Sequence, residues 1–130
     1  MHVLQSRLLL RPADFAAAVD FYEHRLELVR YRDWGTPPRR GVVYFLGGGF
    51  LELAESLDGP PIERPAGVRL WLQVADARAA RDQLAAKGVD ILDEPRRMPW
   101  GLIEFSVRDP DGLPLVIVET PIDHPLRRRQ

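Results

Sequence analysis

Two short segments carry polar side chains along a row that a buried strand would fill with aliphatic ones. Arg7-Leu8-Leu9-Leu10-Arg11 and Arg69-Leu70-Trp71-Leu72-Gln73 read with period two, so Arg7, Leu9 and Arg11 share one face, as do Arg69, Trp71 and Gln73. A guanidinium on such a face is a fixed fork of donors suited to an anionic or carbonyl-bearing group. In Leu102–Arg108, placing Ile103, Phe105 and Val107 toward a helix turns Leu102, Glu104 and Ser106 to the other side. Glu104 there binds a basic group, acts as a general base with a pKa raised by burial, or forms a salt bridge with an arginine. Trp71 shares the polar face, and Trp34 and Trp100 fall in loops before the third and seventh strands, beside Pro37-Pro38 and Pro99. A flat ligand stacked among such rings gains about 0.5–1.5 kcal/mol per aromatic pair beyond its area burial. Ordinary packing or a dimer contact is the alternative for each ring singly.

Other chemistries find little support. His2, His24 and His124 show no His-x-x-x-His spacing and no carboxylate cluster, so none reads as a metal ligand. Ser6, Ser56 and Ser106 lack the strand-to-helix elbow of a nucleophile. Gly47-Gly48-Gly49 is followed by neither a helix nor Lys-Ser/Thr, so it reads as a hairpin turn rather than a phosphate loop. The absence of cysteine removes disulfides, thiolate metal sites and thiol nucleophiles together, and fits a reducing cytoplasm. A formal charge of −1 over 130 residues offers no footprint for nucleic acid. The longest apolar runs fall far below the roughly 20 residues that span a bilayer, and Met1–Arg7 lacks a signal-peptide pattern. The tail Pro125–Gln130, with three arginines, reads as a solvated end.

The elements that must position these residues come twice. At an offset of 62 residues, Arg7–Asp14 aligns with Arg69–Asp76, and each Asp opens a helix-period stretch that it can cap. Phe15, Ala18, Val19, Tyr22 and Leu26 fall on one face of the first helix; Ala77, Ala80 and Leu84 do so in the second, with Gly88 at a left-handed C-cap. Leu8, Leu10 and Pro12 then lie under the first helix and Leu70, Leu72 and Val74 under the second. Strands are expected at Leu28–Arg32, Val42–Leu46 and Phe50–Ala54, then at Val89–Asp93, Leu102–Arg108 and Leu113–Glu119, the last two joined by the turn Asp109-Pro110-Asp111-Gly112. The order is βαβββ twice: a first module over about 6–54, a linker over 55–66 containing Gly59-Pro60-Pro61 and Pro65, a second module over about 67–120 and a tail over 121–130. Each module alone covers one sheet face, so the two are expected to share one α+β domain.

With these residues in view, the chain resembles the vicinal oxygen chelate superfamily, the glyoxalase/bleomycin resistance protein/dioxygenase group. The matching features are Asp14 with Phe21-Tyr22 seven residues on, the strand Gly49-Phe50-Leu51-Glu52-Leu53, and Pro99-Trp100-Gly101 leading into Phe105-Ser106-Val107-Arg108-Asp109-Pro110-Asp111-Gly112, all within about residues 6–120. The resemblance implies tandem βαβββ modules forming a curved, mixed, eight-stranded sheet cleft, and a homodimer. Its enzymes hold a divalent metal on four strands, and those positions carry over to Arg7, Glu52, Arg69 and Val116. Only Glu52 is a donor; guanidinium and valine offer no lone pair, and two arginines repel a dication. No superfamily-type metal and no cofactor are therefore expected.

Two readings of the arginines remain. Glu52 and Arg7 or Arg69 form an ion pair in place of a metal, or the surplus positive charge recognises a ligand. A Glu52→Ala change separates them, costing a few kcal/mol if the pair is buried and structural, and changing affinity otherwise. The reading that follows is a metal-free protein sequestering an aromatic or polar small molecule, an antibiotic among the candidates, in a dimer cleft at Arg7, Leu9, Trp34, Phe50, Glu52, Arg69, Trp71, Trp100 and Glu104. The alternatives are a lyase- or dioxygenase-class enzyme with a noncanonical or metal-free site, and an interaction module that has lost its pocket.

Overall fold

The computed structural model describes residues 1–55 and 66–125. The expected linker, with Ser56, Gly59-Pro60-Pro61 and Pro65, lies outside the described residues except at its two ends, as does the basic tail beyond Pro125. Two compact units divide between residues 63 and 64, and each holds one copy of the repeat.

In the first unit, β1 (Arg7–Leu10) leads into α1 (Phe15–Val19), then β2 (Arg30–Trp34), β3 (Gly41–Leu46) and β4 (Gly49–Ala54). They form a four-stranded mixed sheet in the order β1-β4-β3-β2, with β1 parallel to β4. Asp14 caps α1 as its position suggested, its carboxylate accepting from the Ala17 N–H at 3.0 Å. The helix then widens into a π-helical turn over Asp20–Arg25, where the Leu26 N–H reaches the Phe21 carbonyl at 2.9 Å. This extra residue lets Phe21 and Tyr22 both be buried, meeting edge to face at 5.0 Å, while Leu26 is only half-buried. They share the core with Val42, Tyr44, Leu51 and Leu53. Each such large apolar side chain contributes about 1.5–3 kcal/mol relative to exposure.

The helix exit also moves β2. Glu27 takes a left-handed φ of 59° and the Leu28 N–H is spent on the Tyr22 carbonyl at 3.0 Å, so β2 starts at Arg30 rather than Leu28. Trp34 consequently ends a strand instead of sitting in a loop. At the edge of the same sheet the buried Tyr44 hydroxyl donates to Glu23 at 3.1 Å, and Arg30 bridges Glu23 and Asp33. Burial first, then the Glu23 charge, raises the Tyr44 phenol above its ordinary range.

The second unit repeats the plan with β5 (Leu70–Val74), α2 (Ala77–Ala86), β6 (Asp93–Arg97), β7 (Ile103–Arg108) and β8 (Pro114–Glu119), in the sheet order β5-β8-β7-β6. Asp76 caps α2 through the Ala79 N–H at 3.0 Å, and Glu119 takes the Ala77 N–H at 3.0 Å. Gly88 closes the helix at φ 79°, with the Val89 N–H on the Leu84 carbonyl. Val89 is thus buried in the helix exit, and β6 is the polar edge run Asp93–Arg97 rather than the expected Val89–Asp93. An edge strand tolerates Pro95 and needs no apolar alternation, which is why its sequence hid it. The central β8 is buried on both faces, Leu115 and Ile117 on one side, Val116 and Val118 on the other. The Asp109–Gly112 turn forms as read: Gly112 has φ 86°, and the buried Asp109 carboxylate accepts from the Asp111 N–H at 2.9 Å and the Leu113 N–H at 2.8 Å. No helix among the described residues is long and apolar enough to cross a membrane.

Candidate functional site

The second unit brings four of the candidate residues around one cavity of about 320 Å³, lined by Gly67, Arg69, Trp71, Trp100, Glu104 and Val116. The alternation of β5 turns Trp71 away from α2 and leaves it half exposed, opposite Val116 on β8. Glu104 on β7 faces the same way because its neighbours Ile103 and Phe105 are buried toward the helix side. Leu102, Val116 and Val118 form a buried apolar cluster that includes the Val116 wall of the cavity.

Trp100 reaches the cavity from a tight turn. The Gly101 N–H bonds the Met98 carbonyl at 2.8 Å, Gly101 adopts φ 91°, and the Met98 N–H returns to the Leu102 carbonyl at 2.7 Å. The Trp100 indole N–H then donates to Glu104 Oε2 at 2.6 Å. Two residues that the sequence did not place at this turn brace it: His124 Nε2, which read only as a tail residue without a metal partner, bonds the Trp100 carbonyl at 3.0 Å, and Arg97 Nη1 donates to the Gly101 carbonyl at 3.3 Å. Nothing local in the sequence marks His124 for that part, since 24 residues separate it from Trp100.

The first unit gathers a different group. Arg7 Nη1 donates to Glu52 Oε1 at 3.0 Å, Nη2 to Gln5 Oε1 at 3.1 Å, and the guanidinium lies 5.6 Å from the centre of the Phe50 ring. Leu9, opposite Glu52 in the register, is exposed on the same row. Phe50 also belongs to a cluster that sequence reading missed: Tyr31 and Phe45 meet at 5.1 Å, and each lies within 5.6 Å of Phe50. Tyr31 and Phe45 come from neighbouring strands whose pairing is irregular near Arg30, so parity alone did not align them. A shallow cavity of about 350 Å³ touches Arg7 and Phe50 at the β1–β4 end. Trp34 stands apart on the far edge strand, its ring against Gly41 and under Arg32 at 5.4 Å.

The four positions that the resemblance assigns to metal ligands do not fit a metal. In the first unit the one carboxylate, Glu52, already accepts from Arg7, and in the second Arg69 and Val116 supply no donor lone pair. Among the described residues no three His, Asp or Glu side chains come together in a metal-binding group. The displaced protonation equilibria lie elsewhere, in the scaffold: hydrogen bonds from Arg40 hold the Glu55 carboxyl below its ordinary range, and Glu94 and Glu55 raise Arg81 and Arg40.

The sequence matches the family model of the Glyoxalase/Bleomycin resistance protein/Dioxygenase superfamily over residues 2–117. No curated protein matches it. Among solved structures, a superfamily member from Sphaerobacter thermophilus is 27% identical with a TM-score of 0.69, covering 91% of this chain and 98% of that one. TnmS3, described as an antibiotic binding protein from Streptomyces sp. CB03234, is 25% identical with a TM-score of 0.70, covering 92% of this chain and all of that one (100%). An integron cassette protein from V. cholerae is 22% identical with a TM-score of 0.70, covering 93% of this chain and 98% of that one, a likeness of fold alone.

Proposed function

The chain belongs to the Glyoxalase/Bleomycin resistance protein/Dioxygenase superfamily, and we propose that it is a metal-free binding member, sequestering a small aromatic and polar molecule, an antibiotic among the candidates. The observation that carries this reading is the cavity of the second unit, where two half-exposed indoles, Trp71 and Trp100, stand with a guanidinium and a carboxylate. Large flat rings with a few polar groups are the usual lining of a small-molecule site. The donor-poor set Arg7, Glu52, Arg69 and Val116 argues against metal chemistry at the superfamily's positions. The likeness to TnmS3 supports the antibiotic-binding branch.

We further propose that the working form is a cytoplasmic homodimer. The dimer is supported by the exposure of Tyr31, Phe45, Trp71 and Trp100 on sheet faces or adjoining turns, surface that association would cover; a sequence without cysteine suits a reducing cytoplasm. In this reading Arg69 and Glu104 orient the ligand and the indoles hold its ring, with no bond made or broken.

The test is a tryptophan-fluorescence titration of purified protein with aromatic antibiotics and metabolites, together with elemental analysis and Ni²⁺, Zn²⁺ and Mn²⁺ titrations. Saturable quenching that survives chelator, and that Trp71→Ala weakens about tenfold (~1.4 kcal/mol), is the expected result. A tight stoichiometric metal, or turnover of a bound compound, overturns it.

A further inference from the structure

The two units differ in what stands beside the arginine at the head of their first strand. Arg7 pairs in register with Phe50, and Leu9 with Glu52, so the Arg7 guanidinium has an aromatic face and a carboxylate within reach on β4. The second unit pairs Leu70 with Leu115 and Trp71 with Val116. The positions that hold Phe50 and Glu52 in the first unit therefore hold Pro114 and Val116 in the second. Arg69 is exposed and makes no hydrogen bond or ion pair among the described residues. Beside it, where the first unit has Leu9, stands Trp71.

We infer, building on the reading of this cavity as an aromatic-binding site, that its ligand is a planar aromatic carboxylate. The ligand's carboxylate takes on Arg69 the place that Glu52 takes on Arg7, and its ring lies against Trp71. A guanidinium matches a carboxylate with two parallel hydrogen bonds, a fit that a neutral amide cannot reproduce. Val116 and Trp71 give the ring an apolar wall beside the guanidinium. Glu104, held through Oε2 by Trp100, disfavours a second negative charge and accepts a hydroxyl or amino group from the ligand. A singly charged acid with a ring donor is thus preferred over a dianion such as a phosphate. A volume of about 320 Å³ suits one or two rings.

The test uses the full chain and matched probes in calorimetry and tryptophan fluorescence: 4-hydroxybenzoate against 4-hydroxybenzamide, and 6-hydroxy-2-naphthoate against its amide. Each acid is expected to bind at least tenfold more tightly than its amide. Arg69→Gln should bring the acid down to the level of the amide, and Arg78→Gln on α2 should leave both unchanged. Val116→Glu gives β8 the carboxylate that β4 has, and should abolish the preference for the acid; should that variant fail to fold, Arg69→Gln decides alone. Equal affinity for acid and amide, or an acid preference that survives Arg69→Gln, overturns the carboxylate assignment while leaving aromatic binding intact. If no acid binds but antibiotics or metabolites quench Trp71, this inference falls and the proposed function stands; if those are silent too, both fall.

Discussion

The Trp100 indole N–H and the Glu104 carboxylate meet at 2.6 Å, joining the turn before β7 to the strand it enters. The bond leaves the flat face of the indole open, because the N–H lies in the ring plane. It also commits one carboxylate oxygen, so Glu104 meets a ligand already oriented. Glu104→Ala should loosen Trp100, costing about 1 kcal/mol of stability for a charge-assisted bond in partial contact with water. Indole emission should shift and its anisotropy fall, and ligand affinity should drop with it. Glu104→Gln, which keeps an acceptor, should restore most of the anisotropy. Unchanged anisotropy in Glu104→Ala would show that Trp100 is held by packing.

The Arg7–Glu52 pair is a half-buried one, with side chains 28% and 20% exposed. A double-mutant cycle with Arg7→Gln and Glu52→Gln should therefore return a coupling of about 0.5–1 kcal/mol, not the few kcal/mol of a fully buried pair. Raising the salt concentration should reduce that coupling. A coupling above about 3 kcal/mol that ignores salt would mean the pair is shut away from solvent.

Asp109 is the more demanding carboxylate. It is buried and serves two backbone N–H groups, so Asp109→Ala should cost about 2–3 kcal/mol by leaving donors unmatched at the β7–β8 turn. Asp109→Asn, which retains an acceptor oxygen, should cost distinctly less. Urea denaturation of the three proteins distinguishes these outcomes, and equal losses would place the burden on charge rather than on the acceptor.

Stability should fall in acid partly through Glu55. Hydrogen bonds from Arg40, at 2.7 and 3.2 Å to the two carboxylate oxygens, hold its pKa below the ordinary 4.5. Between the depressed folded value and the ordinary one, the unfolded chain binds more protons than the folded one. The stabilisation is therefore complete above the ordinary value and is lost as pH falls through the folded one. Melting temperature between about pH 6 and pH 3 should decline less steeply for Glu55→Gln than for the wild type. Parallel curves would remove Glu55 from the acid response.

Features set by neighbouring residues were legible in the sequence. The repeat of Arg7–Asp14 in Arg69–Asp76, the capping Asp14 and Asp76, Gly88 at the helix exit and the Asp109–Gly112 turn each depend on a few adjacent residues. Strand parity likewise sorted Trp71 and Glu104 away from the helix side. Edge strands were less legible: β2 and β6 start two and four residues later than read, because a helix exit absorbs Leu28 and Val89 and the strands themselves carry little apolar alternation. The π-helical turn that buries Phe21 beside Tyr22 has no period of its own to betray it.

Partnership was a different matter. Residue order alone says that an arginine heads each copy of the repeat, Arg7 and Arg69, and that only one carboxylate, Glu52, stands at the family's metal positions. Tertiary structure decided which arginine that carboxylate serves. Arg7 and Glu52 lie 45 residues apart and meet only because β1 runs parallel to β4 in one register, while the same register on β8 presents Val116 to Arg69. The physical reason is reach: a cap or a turn is closed by the chain's own next few residues, but an ion pair across strands exists only once the sheet has brought distant residues within about 3 Å.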